Sequence, residues 1–273
     1  MARERILVTV KTYPTLSTKY GETVCTAGVR PDGSWVRIYP VPFRRLGEVE
    51  QYKKFDWLEL ELARNTSDIR PETYRPTANA SFEPVGHMDT RDAWRERRQL
   101  LLKETQVYTS LHNLIAEAKA NTASLAMFKP TKVLDLVVEA DEREWKPERV
   151  EAMRNLSLQY DLFSDNAWRE TFNLVRKIPW KWSYRFEDAT GKRSEMQILD
   201  WEIGALYWNC LARANGDEDE AKAKVRVKYV DQFLKTDLHF FLGTTQQWHS
   251  VAPNPWVIIG VFPIPIEQQQ PLF

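Results

Sequence analysis

Short runs of alternating apolar and polar residues dominate the first sixty positions. Arg5–Lys11, Glu22–Arg30, Trp35–Tyr39 and Phe55–Leu62 are rich in β-branched or aromatic residues and are separated by Gly, Pro and Asp, which predicts four strands. Pro31-Asp32-Gly33 predicts a tight turn between the second and third, because proline presets φ and glycine accepts a positive one. A small antiparallel barrel or curved sheet is the natural closure. Asn65–Pro84 carries Pro71, Pro76 and Pro84 with little periodicity and reads as an extended connection.

The period then lengthens. Thr90–Glu104 starts at a capping residue, and Tyr108–Ala120 sets Leu111, Leu114, Ile115 and Ala118 on one stripe, so an αα-hairpin is expected. Thr131–Ala140 reads as a strand after the breaker Pro130, suited to closing the first sheet. Pro147 in the charged stretch Asp141–Arg154 fits a first helical turn, and Asp165–Lys177 is a further helix candidate. Period two returns at Trp180, Trp182, Tyr184 and Phe186, with Lys181, Ser183 and Arg185 between them and Met196–Leu199 as partner strand. Asp200 caps a helix carrying Trp201, Ala205, Trp208 and Leu211; a second helix over Asp217–Lys235 opens on four acids, which complement its dipole. Leu238–Leu242 and Trp256–Phe262 form a long-looped hairpin. No internal repeat is visible in the sequence, and the only biased stretch is Gln268–Gln270.

These elements predict an α+β protein: an N-terminal antiparallel barrel-like sheet, a helical middle, and a C-terminal helix pair with a β-hairpin in winged-helix-like order. The expected division is a barrel-like unit over 1–140 with a helical insertion at 90–120, then a helical and hairpin portion over 141–273, able to pack into one unit with the first.

Composition narrows the function classes. The 273 residues carry 38 Lys+Arg against 38 Asp+Glu, so the chain does not coat nucleic acid along its whole surface. The charge is nevertheless segregated: residues 1–54 hold ten basic against five acidic side chains, and residues 135–170 hold five against ten. A local anion site is thus compatible with a neutral whole. Two cysteines far apart, Cys25 and Cys210, make neither a metal knuckle nor a redox pair. With no apolar run long enough to span a bilayer and no leader-like start, a cytoplasmic, non-membrane protein is expected. Glycine-rich phosphate loops are absent, which sets aside P-loop and dinucleotide-binding chemistry, and no cofactor or metal is expected.

The most informative segment is Trp35-Val-Arg-Ile-Tyr39. A strand sends Val36 and Ile38 to one face and Trp35, Arg37 and Tyr39 to the other. With Phe43, Arg44 and Arg45 close behind, this second face combines π-surfaces and cations as a single-strand binder does. Binding of single-stranded or distorted DNA or RNA through Trp35, Arg37, Tyr39, Phe43, Arg44 and Arg45 is the leading expectation; a second hydrophobic layer is the bland alternative. A metal-dependent nuclease or phosphodiesterase built on Asp188, Glu195, Asp200 and Glu202, with Lys192, is the enzymatic rival. An interaction subunit using exposed aromatics is the third possibility. His239 and His249, near Thr244 and Thr245, are candidates for acid-base work, and Cys25 for a nucleophile, although a buried strand cysteine is commoner.

Overall fold

The structure is a computed structural model that describes residues 3–161 and 174–266. Asp165–Lys177 falls mostly outside the described residues, and Gln268–Gln270 entirely so.

The N-terminal half is a closed five-stranded barrel. Its wall is built from β1 (Arg3–Lys11), β3 (Gly21–Val29), β4 (Trp35–Val41), β5 (Asp56–Arg64) and β6 (Thr73–Pro76), with β2 (Thr15–Ser17) and β7 (Pro84–His87) as appendages on β3 and β5. β1 pairs antiparallel with both β3 and β5, β3 with β4, and β5 with β6; β4 closes the ring by pairing in parallel with β6 at Arg37↔Thr73 and Ile38↔Tyr74. The expected strands are all present. The connection expected over Asn65–Pro84 instead supplies the closing strand, hidden from periodicity because it is four residues long, follows Pro71 and ends on Pro76. Alternation fills the interior: Ile6, Val8, Val24, Val36, Ile38, Leu58, Leu60 and Leu62 point inward, and Phe43 and Tyr52, from the turns between β4 and β5, plug one end.

A second barrel follows with the same connectivity. After α1 (Arg91–Arg98), β8 (Val107–Tyr108) and α2 (Leu111–Lys119), the chain enters β9 (Leu125–Phe128) and β10 (Lys132–Ala140), two halves of one bent strand. Pro130 lies at the bend, where its missing N–H interrupts the ladder. β9 pairs with β13 (Asp237–Thr244), and β10 pairs with β11 (Trp180–Glu187), which pairs with β12 (Arg193–Gln197). Just past β12, Ile198 bridges Ile258 of β14 (Trp256–Ile264) in parallel, and β14 pairs antiparallel with β13. Numbering each barrel's five strands in order, both read 1-2-3-5-4-1 with a parallel 3–5 contact. That is the arrangement of the OB-fold, a five-stranded Greek-key barrel. β10 therefore closes the second barrel and not the first.

In the OB arrangement a plug sits between strands three and four. In the second barrel α4 (Trp201–Arg213) and α5 (Glu218–Arg226) take that place, burying Ile203, Tyr207, Cys210, Ala221 and Val225 with Trp182, Tyr184, Phe186 and Phe240. The helix pair and hairpin expected from sequence are both found. The winged-helix geometry is not, because β13 and β14 form barrel wall and the apolar face of α5 lies in the barrel core. α3 (Pro147–Asp161) belongs to the long connection between β10 and β11.

The two barrels meet across a third apolar cluster. Leu7, Val10, Ala27 and Val29 from the outer face of β1 and β3 pack on Leu125, Met127, Phe241, Ile259 and Phe262 from the second barrel. Strand residues facing away from one core thus face into another, so both faces of β1 and β3 are apolar.

The rim of this seam carries a buried charge cluster. Lys54 Nζ lies 2.7 Å from the Asp200 carboxylate and 3.1 Å from that of Glu202. Asp200, wholly buried, also caps α4 by accepting from the Glu202 N–H. Burial pushes its carboxyl up to about 6 against the pull of Lys54. Lys11 sits alongside, its ammonium 3.9 Å from the centre of the Phe43 ring, and burial with repulsion from Lys54 lowers it to about 8.

Removing one partner of a buried pair leaves an uncompensated charge, so Lys54→Met is expected to cost about 3–5 kcal/mol at pH 8 in urea unfolding. The cost should shrink as pH falls, because the buried Asp200 carboxyl, freed from the pull of Lys54, is pushed higher still and takes a proton: a carboxyl whose folded pKa is raised stabilises when protonated and loses that contribution as pH rises through the folded value. Adding Asp200→Asn, which keeps the cap, should recover most of the loss. For Lys11 the folded state binds fewer protons than the unfolded one between about pH 8 and 10.5, so this residue makes stability rise with pH there. Lys11→Met should flatten that rise in urea midpoints measured at pH 7.5 and 10.

Candidate ligand cleft between the barrels

The outer face of β4 is where sequence places a binding surface, and its alternation is as expected: Val36 and Ile38 enter the barrel core while Trp35, Arg37 and Tyr39 face outward. The second barrel covers that outward face. Trp35 packs edge-on against Phe241 with ring centroids 6.1 Å apart. Arg37 is 1% exposed. Phe43 is buried against Tyr52 and Trp201 as part of the plug. Arg44 pairs with Glu22 at 2.7 Å. The open aromatic-basic strip formed by all six residues is therefore not found, because the flat apolar surfaces that would have met a base meet another barrel.

What remains is a cleft along the seam, about 420 Å³ in volume. Arg37 and Tyr39 line it; Trp35, Phe43, Arg44 and Arg45 do not. The first barrel contributes Thr12–Thr15 from the connection between its first two strands, Cys25 from β3, and Arg70 from the connection between its last two. The second contributes Trp145, Lys177, Trp180, Trp182, Gln197 and Thr244–Gln246, among others. With respect to the first barrel this is the side formed by strands two and three and the 1–2 and 4–5 loops, where OB-folds bind oligonucleotides and oligosaccharides.

The floor is cationic by construction. Arg37 Nη1 donates to Ser124 Oγ at 2.6 Å and to Thr73 Oγ1 at 3.3 Å, and Nη2 donates to the carbonyls of Ser124 at 2.8 Å and Thr244 at 3.4 Å. It forms no salt bridge among the described residues, and burial with repulsion from Arg70 lowers it to about 10, leaving it charged at neutral pH. Arg70 is held by Asp68 at 2.6 Å and donates to the same Thr244 carbonyl. Lys177 is neutralised by Asp141 at 3.0 Å, and Asp200 by Lys54. The Glu72 carboxylate lies behind Ser124, accepting from its N–H at 2.8 Å, so the field of the guanidiniums is only modest.

The walls are aromatic. Gly204 lets α4 touch Tyr13: a Cβ there would fall 2.4 Å from the ring. Tyr13 in turn accepts from the Trp208 indole at 2.8 Å and donates to the Arg176 carbonyl at 2.9 Å, which fixes its ring. The Trp145 indole donates to the Val175 carbonyl at 2.7 Å and that of Trp180 to the Tyr207 hydroxyl at 3.0 Å. Tyr39 stands half-buried, edge-on to Tyr20. No sequence signal linked Trp145, Trp180 and Arg70 to Arg37, since they come from four different connections and strands.

The other candidates are dispersed. Asp188 holds the β11–β12 turn, accepting from Thr190, Lys192 and Leu111 N–H groups, and Glu195 pairs with Arg185 on the outer face of β12. With Asp200 capping α4, the four acids do not converge, and no group of three or more metal-ligating side chains occurs among the described residues. Both nitrogens of His249 are engaged, by Thr244 Oγ1 at 2.8 Å and Asn121 Oδ1 at 2.9 Å, which ties down the loop after β13. His239 is buried beside the Asp237 carbonyl. Cys25 lines the cleft with Arg37 as a neighbour, and no base is bonded to it.

Residues 107–273 match the family described as Domain of unknown function (DUF8757), and residues 2–103 match a second, Domain of unknown function (DUF8758). The first match covers more than half of the chain, which therefore belongs to the DUF8757 family. The matches meet at the junction of the two barrels. Neither a curated protein nor a solved structure matches the chain. Among the described residues no helix is long and apolar enough to cross a membrane.

Arg37 satisfies two carbonyls of the second barrel from within the first. Arg37→Met should cost about 2–5 kcal/mol in urea unfolding, because the buried Ser124 and Thr244 carbonyls lose a charged donor. Arg44→Met, whose buried partner Glu22 keeps the pull of Arg45, should cost less, about 1–2 kcal/mol.

Proposed function

We propose that the protein binds single-stranded nucleic acid in the seam cleft, engaging a short segment of one or two nucleotides and not a long tract. The observation that carries this is the position of the cleft: it lies on the ligand side of an OB barrel, with two guanidiniums in its floor and tyrosine and tryptophan rings in its walls. The leading sequence expectation is thus retained in class and changed in place. Arg37 and Tyr39 keep roles, joined by Arg70, Tyr13, Trp145 and Trp180.

Magnitudes favour a short footprint. Arg37, Arg70 and Lys177 stand against Asp141 and Asp200 among the charged groups in the lining, a surplus of one. Such a balance attracts one or two phosphates and does not hold a polyanion. The same surplus favours a phosphate-bearing ligand over a neutral saccharide, the other ligand class of these barrels.

Fluorescence anisotropy with labelled DNA and RNA decamers tests the reading. Affinity should fall with salt on a shallow slope of about −0.7 to −1.4, one to two phosphates at roughly 0.7 each for a single strand. Tyr39→Ala should weaken binding by about 1–3 kcal/mol, the worth of one stacked base. Arg70→Gln should lower the slope by roughly 0.7, and Arg44→Gln should leave it unchanged. Absence of oligonucleotide binding by the folded wild type, at low salt and for both DNA and RNA, would end the proposal.

A further inference from the structure

Two buried polar groups in the lining of the cleft have no hydrogen-bond partner. Trp182 lines it and is 1% exposed, yet its indole N–H has no acceptor. The Trp145, Trp180 and Trp208 indoles each have an oxygen partner at 2.7–3.0 Å, whereas that of Trp256, outside the lining, shares the lack of one. Thr245, at the start of the β13–β14 loop, also lines the cleft, with a hydroxyl shielded from water and unpartnered. Gln197, on the edge of β12, adds an amide that bonds to nothing described. A buried donor without a partner costs free energy unless a ligand supplies the acceptor.

Resting on the reading above, we infer that the cleft takes in one nucleobase, and that Trp182 Nε1–H donates to a carbonyl or ring nitrogen of that base while Thr245 Oγ1 contacts its polar edge. Three features converge on a base. The enclosure is of small-molecule size, its walls are flat rings, and its free polar groups are few and point-like, the pattern of a site that selects by hydrogen bonding within an apolar pocket. An aliphatic ligand would use the rings alone, and a saccharide, with a hydroxyl on nearly every carbon, would ask for more polar partners than the few that are unpartnered here. Delivery of the base on a strand or as a free nucleotide presents the same chemistry, and the two are separated by the choice of probe.

The experiment uses the full chain, with calorimetry for the four 5′-ribonucleoside monophosphates and anisotropy for a labelled single-stranded decamer, intact and with every base removed. The wild type should bind at least one mononucleotide, and the abasic decamer should bind at least tenfold more weakly than the intact one. Trp182→Phe keeps an aromatic ring and deletes the donor; it should weaken mononucleotide and decamer alike by about three- to tenfold, one net hydrogen bond, while the free protein stays folded, the lost packing volume being partly offset by removal of an unsatisfied donor. Thr245→Val, on a loop, is the second variant, with a smaller loss in the same direction. Intact and abasic decamers binding equally well, or both variants binding as the wild type does, would overturn base recognition and leave strand binding standing. Mononucleotides binding without decamers would keep base recognition and overturn the strand reading. No binding of any probe by the folded wild type would overturn both.

Discussion

A single buried guanidinium holds this architecture together. Arg37 is rooted in the first barrel, where β4 pairs with β6, and its side chain ends on Ser124 and Thr244 of the second. A cation with no carboxylate within ion-pair distance is expensive to bury, and it persists here because carbonyls and hydroxyls of both halves surround it. All of those acceptors except the Thr73 hydroxyl are found only when the barrels are docked. The charge therefore specifies the docked arrangement more than it stabilises either barrel, and the cleft exists as a consequence of that docking.

Two copies of one topology, placed face to face, explain the remaining features. Each barrel closes by the same parallel contact between its third and fifth strands, and each is plugged between strands three and four, by Phe43 and Tyr52 in one and by α4 and α5 in the other. The outer face of β1 and β3, which in an isolated barrel would be free, becomes the apolar seam with Phe241 and Phe262. Only toward the Tyr13 and Arg70 loops do the surfaces part, and the charged and aromatic side chains gather there. Beside Tyr13, whose N–H donates to the Leu199 carbonyl, Lys54 and Asp200 pin that side of the opening.

The alternation in β4 was legible: the inward Val36 and Ile38 and the outward Trp35, Arg37 and Tyr39 lie as the pattern requires. What covers the outward set was not, because an aromatic face waiting for a base and one waiting for a second barrel have the same composition. β6 escaped notice because four residues that follow one proline and end on another carry no period, and without it the first barrel cannot be seen to close. The second barrel was disguised by its bent first strand, interrupted at Pro130, and by helices between strands three and four that read as an independent helix pair.

Local chemistry in the chain was sufficient for the longer strands, the Pro31-Asp32-Gly33 turn, the Asp200 cap and the mixed α+β class, since each depends on neighbours a few positions away. Tertiary structure alone decided which strands share a barrel, that Arg37 is buried, and that Trp182 is left with an unanswered donor. The physical reason is the same in each case. Ring closure, docking and hydrogen-bond satisfaction depend on partners from 36 residues apart, as Arg37 and Thr73, to 207 apart, as Arg37 and Thr244, and no local period records them.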